Sequence, residues 1–493
     1  AVSVTKVKSL VCFPSPNIWI GSPFRALATN LGITSPYGPS KCSLYPYVLK
    51  GLKVIAGRYG IRVGPNALFT ITPTTLQPHD VVVEDCTLSD GKTLQSTPSA
   101  YYGIIAGGVS ESFITQIYNI TVQRNQIFIT EPGSTSANQT SGPGIIFFHP
   151  NGGHVIRHNT IIHIGTLPGG VHGGDGINGS TNFDFQYTWR DTDIHDNFLQ
   201  GATDDAISLD GNACNLRVWN NTITRCNMPF SVAPVMIGPA YIFRNIVYDL
   251  ERHWTGSIGL VKCGQNGDGN VYFFHNTAVI DNLSFGKGSP AAYGFTQWGS
   301  GDPSKNIMAI NNLMITNGPI VANSNREPIM DYNLLYNKFI SSYRTYWAQW
   351  GTQTAGRQSY TNAQNLVEFQ NMTRNMGAPQ EMHGIGSAPV FVNESTKDFR
   401  LADGSPGIDQ GLVIPGFNDL QSSWPYAGYA PDIGALEYGM AMVPHAMFSV
   451  NKASGLAPLD IQFIDESSGA IESWSWDFGD GDISAERSPL HRY

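Results

Sequence analysis

Apolar and polar residues alternate with period two along most of this chain, and at intervals one polar residue separates two short apolar runs. The segments VVVEDCTL, ITVQRNQIFI, HVIRHNTIIHI, TDIHDNFL, LRVWNNTIT, YIFRNIVYDL, VYFFHNTAVI and IMAINNLMI share the pattern. The punctuating residues are Asp85, Asn125, Asn159, Asn197, Asn221, Asn245, Asn276 and Asn312, with Asn333 in MDYNLLYN as a ninth. Period-2 alternation predicts strand, and a repeat every 20 to 50 residues or so predicts a solenoid in which each unit buries its apolar face on the next. Asn suits the corner for two reasons: it tolerates left-handed backbone, and it can hydrogen-bond to its counterpart one rung away. A β-sandwich with Asn in its turns would not place one polar residue at the same point of every repeat.

Between these corners the chain is uneven. Residues 1–50 are Pro-rich, show little alternation and read as an N-terminal cap over the first rung, where bare strand edges would otherwise be exposed. Rungs are predicted over 51–340, with loops leaving the coil at 131–143, 165–190 and 284–305. The stretch 341–384 loses the repeat, and 341–442 reads as C-terminal rungs and a capping segment. A second domain is predicted over 443–493.

Two stretches carry a resemblance. DDAISLDGNACNLRVWNNTITRCNMPFSVAPVMIGPAYIFRNIVYDL with GNVYFFHNTAVID, and the closing SAPVFVNESTKDFRLADGSPGIDQG with PDIGALEYG, resemble secreted β-helix repeat proteins of the pectate lyase and polygalacturonase type. The resemblance spans residues 50 to 440 and implies an all-β, right-handed parallel β-helix. It says little about activity, because one fold hosts many chemistries. The last 50 residues or so resemble a PKD-type immunoglobulin-like module, through GLAPLDIQF, the turn Trp476-Asp477-Phe478-Gly479-Asp480-Gly481 and the ending Pro489-x-His491-x-Tyr493. Such modules continue for two more strands. The resemblance therefore implies a partial β-sandwich, either continued in a longer polypeptide or left with an open edge that recruits a partner strand.

Composition fits an extracellular solenoid: 53 Gly, 30 Pro, 14% charged and 41% hydrophobic residues, with no apolar run of about 18 that would span a bilayer. AVSVTKVKSL lacks the features of a signal peptide, so a mature or trimmed form is expected. Cys12, Cys42, Cys86, Cys214, Cys226 and Cys263 could all pair in an oxidising compartment. Asn119, Asn138, Asn178, Asn220, Asn282, Asn371 and Asn393 open glycosylation sequons. A net charge of −9 argues against nucleic acid as partner, and no glycine-rich phosphate loop is present. An acidic polysaccharide bridged by calcium, or a neutral glycan, is compatible with it.

One dense acidic constellation lies mid-coil, in HGGDGINGS (172–180), DTDIHDN (191–197) and GATDDAISLDGN (201–212). Aligning inward apolar residues pairs Ile177 with Ile207, then with Leu260 and Phe295. Asp175 and Asp205 then stack in one column about 4.8 Å apart, Asn178 and Ser208 share an outward column, and Asp204 and Asp210 flank it. Carboxylates this close cannot both ionise cheaply, which fits acid and base roles. The succession also resembles the polygalacturonase pattern, which implies Asp175, Asp204 and Asp205 as general acid and water-activating base. Two features depart from that family: Met228-Pro229-Phe230 replaces its Gly-His-Gly rung, and its Arg-x-Lys clamp is absent. His172 and His195 lie nearby in other rungs and, with Lys262 and Trp298 further along, are the substrate-binding candidates.

A lyase reading instead uses calcium on Asp204, Asp205 and Asp210, joined by Asp175, with Lys262 as base. The alternation places Lys262 inward. Arg217, Arg225 and Arg244 are alternatives without a spacing argument. Trp298, with Trp254, Tyr293, Tyr346, Trp347 and Trp350, either stacks on sugar rings or fills core and cap. His154, His158, His253 and His275 read as exposed or capping groups. Asp before a strand is also ordinary turn chemistry. The expectation is therefore a secreted or cell-surface protein that binds polysaccharide and cleaves it at the acidic cluster, as hydrolase or lyase. The hydrolase needs no cofactor. The competing expectation is a non-catalytic adhesive or filament-forming protein that assembles with copies of itself or with cell-surface proteins.

Overall fold

The computed structural model describes residues 7–10, 18–19, 47–55, 59–63, 79–89, 102–106, 117–130, 142–148, 150–164, 174–179, 188–251, 258–264, 267–280, 292–297, 306–324, 329–338, 346–354, 357–439, 448–450, 457–465, 467, 471 and 473–493. These residues group into two compact units, 1–387 with 433–435, and 388–432 with 436–493. No helix among them is long and apolar enough to cross a membrane.

The first unit is a right-handed parallel β-helix with three faces, as the alternation predicts. On the first face, strand Trp189–His195 pairs in parallel with Ala213–Trp219, which pairs with Ala240–Phe243. On the second, Phe198–Gln200, Thr222–Thr224 and Ile246–Tyr248 stack in the same way. The third face carries Ile145–Phe147, Ile177–Asn178, Asp205–Ser208, Met228–Val232, Ile258–Cys263 and Ala292–Gln297 in succession. Inward residues of all three faces form one continuous apolar core, in which Ile194, Leu216, Ile207, Phe230 and Phe273 are fully buried.

The corner between the first and second faces explains the Asn repeat. From Asn125 to Asn333, each ladder Asn donates through Nδ2 to the Oδ1 of the Asn one rung on, at 2.9–3.0 Å. That same Oδ1 accepts the backbone N–H of the previous corner residue, and Nδ2 also reaches a backbone carbonyl of the preceding rung. Every ladder Asn is at most 1% exposed. Beyond Asn333 the column ends on Glu381, whose carboxylate accepts both the Nδ2 and the backbone N–H of Asn333.

Two details differ from expectation. The left-handed residue is not the Asn but the one before it: Arg124, His158, Asp196, Asn220, Arg244, His275, Asn311 and Tyr332 all have φ between 50° and 59°. In the first repeat Asp85 takes that left-handed place, and Cys86 stands at the ladder position, its N–H donating to Asn125 Oδ1. The corner fixes the left-handed turn one residue early so that the next side chain points into the column.

Short strands Val7–Leu10 and Ile18–Trp19 run antiparallel to the first rung. At the other end, Ala348–Thr354 continues the third face and pairs antiparallel with Arg357–Ala363. The helix Leu366–Asn375 follows, capped by Asn365, whose side chain accepts from the Glu368 N–H, and it buries Phe369 against Trp347 and Trp350. This helix in an aperiodic stretch was not anticipated, although Asn-x-x-Glu is a capping signal. Cys86, Cys214, Cys226 and Cys263 form no disulfide, so the arrangement in which all six cysteines could pair is not adopted; Cys12 and Cys42 lie outside the described residues.

In the second unit, Phe448–Val450, Asp460–Asp465 and Leu490–Arg492 form a small antiparallel sheet, beside the hairpin Trp476–Asp477 and Ile483–Ser484. Phe448, Phe463, Trp476, Phe478 and His491 make one chain of ring contacts, with Phe478 stacked 4.0 Å from His491.

Candidate active site on the third face

The acidic cluster sits where the chain enters the third face. Ile177 pairs with Ile207 and Asn178 with Ser208, which places Asp175 and Asp205 at equivalent positions on adjacent rungs, as the sequence predicts. Asp205 donates its backbone N–H to Asp175 Oδ1 at 3.1 Å, and Asn178 Nδ2 donates to Asp175 Oδ2. Strict alternation would turn Asp205 inward. It does not, because Ala206 and Ile207 both enter the core and the phase slips by one residue.

The same slip corrects Lys262. The register continues from Ile207 through Phe230 to Val261 and Phe295, not through Leu260. Leu260 and Val261 both lie in the core, and Lys262 falls in the outward column of Asn178, Ser208 and Ser231. From two rungs away its ammonium reaches back to 2.6 Å from Asp205 Oδ2 and 3.9 Å from Asp204 Oδ1.

Oxygens of Asp175, Asp204 and Asp205 lie within 4.8 Å of one another. Asp205 is 3% exposed and its Oδ1 has no hydrogen-bond partner, while the Asp204 side chain is 26% exposed. Asp210 is turned elsewhere: both its oxygens accept from Ser231 Oγ, at 2.6 and 2.8 Å, and Oδ1 also takes the Ala233 N–H. The metal-capable trio is thus Asp175, Asp204 and Asp205, rather than Asp204, Asp205 and Asp210.

Burial and the neighbouring Asp204 carboxylate push the Asp175 carboxyl up to about 6, against the pull of Lys262. Burial raises Asp205 well above the usual range despite Lys262, and it raises Asp210. For Lys262 burial disfavours the ammonium, but Asp205, Asp210 and Asp204 outweigh it and hold the amine protonated. A persistent ammonium is a poor proton acceptor, so Lys262 does not suit the role of base.

Other expected site residues are not brought together here. His195 is on the first face, 2.6 Å from Asp196 and stacked 4.1 Å from Trp219. Arg217 pairs with Asp193, Arg225 with Glu251, and Arg244 donates to the Ala435 carbonyl. His172, Trp298, Trp254 and His253 lie outside the described residues. Tyr293, Tyr346, Trp347 and Trp350 are buried, which excludes the sugar-stacking alternative for these four. His154 and His275 are buried as well, not exposed: His154 accepts the Ile120 N–H, and His275 sits between Gly434 and Asn311. Among the sequons, Asn178 is bound to Asp175, Asn119 to Asp80 and Asn220 to Asp196; Asn371 lies in the helix and Asn393 caps a short 3-10 turn. Asn138 and Asn282 are outside the described residues.

Sequence reasoning missed Ser231 and Asn227. Ser231 continues the Asn178–Ser208 column, and extending that column one rung would have found it. Asn227 precedes Met228, the register partner of Asp205, and so stands one rung on from Asp204; its buried amide has no partner on either atom. Comparison with protein-family models, curated proteins and solved structures finds no match, so the site rests on its own geometry.

Proposed function

We propose that this chain is a secreted or cell-surface protein that binds polysaccharide on the third face of its β-helix and hydrolyses it at Asp175, Asp204 and Asp205. The observation that carries the reading is three carboxylates with oxygens within 4.8 Å of one another but in unequal surroundings. Asp175, partly exposed and raised to about 6, serves as proton donor. Asp204, the more accessible partner of the buried Asp205, serves as base or nucleophile. Lys262 lies 2.6 Å from the buried Asp205, and its ammonium sets the field at the cluster. Hydrolysis is favoured over elimination because Lys262, the lysine at the cluster among the described residues, stands 2.6 Å from Asp205 and is held protonated. The likeness to pectate lyase-type repeat proteins and the PKD-like C-terminal module support a carbohydrate-facing, extracellular setting; the ring cluster around Phe463 suits a small sandwich that tethers the coil to a surface or a partner.

The test incubates the full chain with acidic and neutral polysaccharides and follows both reducing ends and the absorbance of unsaturated sugars. Reducing ends without new absorbance are expected, with Asp175→Asn and Asp204→Asn each lowering kcat by about 10³-fold. Because the acid must carry its proton, the rate falls as pH rises past about 6. Silence across the panel from a folded protein overturns hydrolysis and assigns the coil a structural role.

A further inference from the structure

Asp175, Asp204 and Asp205 offer the hard oxygen chemistry that calcium takes, and the likeness to β-helix lyases implies such an ion. Calcium binds about six to eight oxygens at roughly 2.3–2.6 Å. The fit fails on one point. The Lys262 ammonium already stands 2.6 Å from Asp205 Oδ2 and 3.9 Å from Asp204 Oδ1, among oxygens only 4.8 Å apart. A divalent ion bridging these carboxylates would sit within a few ångströms of that ammonium, and like charges that close repel, most of all beside the buried Asp205. Asp210, a further acidic neighbour among the described residues, is occupied by Ser231 and the Ala233 N–H. Without the ammonium the chemistry reverses: Asp205 Oδ1 is buried, lacks a hydrogen-bond partner and belongs to the cluster, so it is an acceptor ready for a cation.

The geometry points to a lysine-gated cation site. The Lys262 side chain holds the place of a divalent metal, the native protein binds no calcium there, and removing the ammonium turns Asp175, Asp204 and Asp205 into a calcium site. The tether explains why lysine wins. An ammonium delivered by its own backbone loses little translational freedom on docking, whereas a dissolved ion must be captured from millimolar solution. The inference rests on the cluster's charge balance and not on turnover, so it survives if hydrolysis is disproved.

Calcium binding is measured by calorimetry and terbium luminescence on the full chain, in the wild type and in Lys262→Met, Lys262→Gln and Lys262→Arg. The wild type and Lys262→Arg are expected to show no binding below about 10 mM, and the neutral variants a dissociation constant at least about 100-fold lower. Calcium should raise the melting temperature of the neutral variants alone, and Asp205→Asn added to Lys262→Met should abolish both effects. Wild-type binding that Asp204→Asn removes overturns the inference, as does absence of binding in a folded Lys262→Met. Failure of both neutral variants to fold even in about 10 mM calcium overturns it too, since an ion able to replace the ammonium would restore the charge balance.

Discussion

Two polar columns run along this coil under opposite rules. The corner column is made of amides, and an amide both donates and accepts, so each Asn satisfies the next without any charge entering the core. The third-face cluster is made of carboxylates and one ammonium; when ionised, the first only accept and the second only donates. Burial of the amides leaves nothing unsatisfied. In the cluster, burial leaves Asp205 Oδ1 without a partner and drives Asp175, Asp205 and Asp210 up from their ordinary range. A column that closes its own hydrogen bonds holds a structure together, whereas one that cannot is poised to exchange protons.

The largest effect that would break this comparison lies in the amide column. Asn221→Ala orphans the Asn197 backbone N–H and one bond each from Asn197 Nδ2, the Ile194 carbonyl and Asn245 Oδ1, all buried. At about 1 kcal/mol or more for each stranded group, a loss of about 4 kcal/mol is expected in urea denaturation. If the proposed hydrolysis holds, its rate per folded molecule should not change. A loss under about 1 kcal/mol would mean that the ladder is an ornament of the apolar core.

The amide column was the more legible of the two, because one residue type recurs at one point of each repeat. What misled there was conformational. The left-handed position is filled by Arg124, His158, Arg244 and Tyr332 as well as by Asp and Asn, so no residue type announces it, and Asp85 was taken for a ladder residue. On the third face, the stacking of Asp175 on Asp205 followed from alternation. The direction of Lys262 did not, because Ala206–Ile207 and Leu260–Val261 each place two consecutive residues inward. Period-2 reasoning has no memory of such a slip, and one slip reverses every later residue. Burial of His154 and His275 was illegible for another reason: His154 has no counterpart in the repeat, and His275 holds the corner place that leaves Arg124 exposed but is covered by Gly434, 159 residues along the chain.

A smaller effect tests where the two columns share a property. The Asn ladder ends on a carboxylate, and burial pushes Glu381 up to about 8, with Asp331 adding to the rise and the Asn333 donors opposing it. The folded value is above the ordinary one. Any stability that Glu381 contributes is therefore full below about 4.5 and is lost as pH rises toward 8. Glu381→Gln removes that proton dependence. Relative to wild type the variant should gain on the order of 3 kcal/mol between pH 5 and pH 8, read from paired denaturation curves. A constant difference would mean that Glu381 titrates normally and that the ladder closes without a proton.

The smallest effect is expected where polar groups meet outside the core. At the first corner Arg124 reaches Glu84 at 2.5 Å and Asp85 at 2.7 Å, contacts as short as any in the buried columns. Its side chain, however, is 43% exposed, and water competes for both partners. Arg124→Ala should cost only about 0.5 kcal/mol, and about 0.5 M salt should erase most of that difference. If it cost as much as Asn221→Ala, contact length rather than burial would set the worth of a polar column. The contrast between amide ladder and carboxylate cluster would then lose its physical basis, since both descend from the same removal of water.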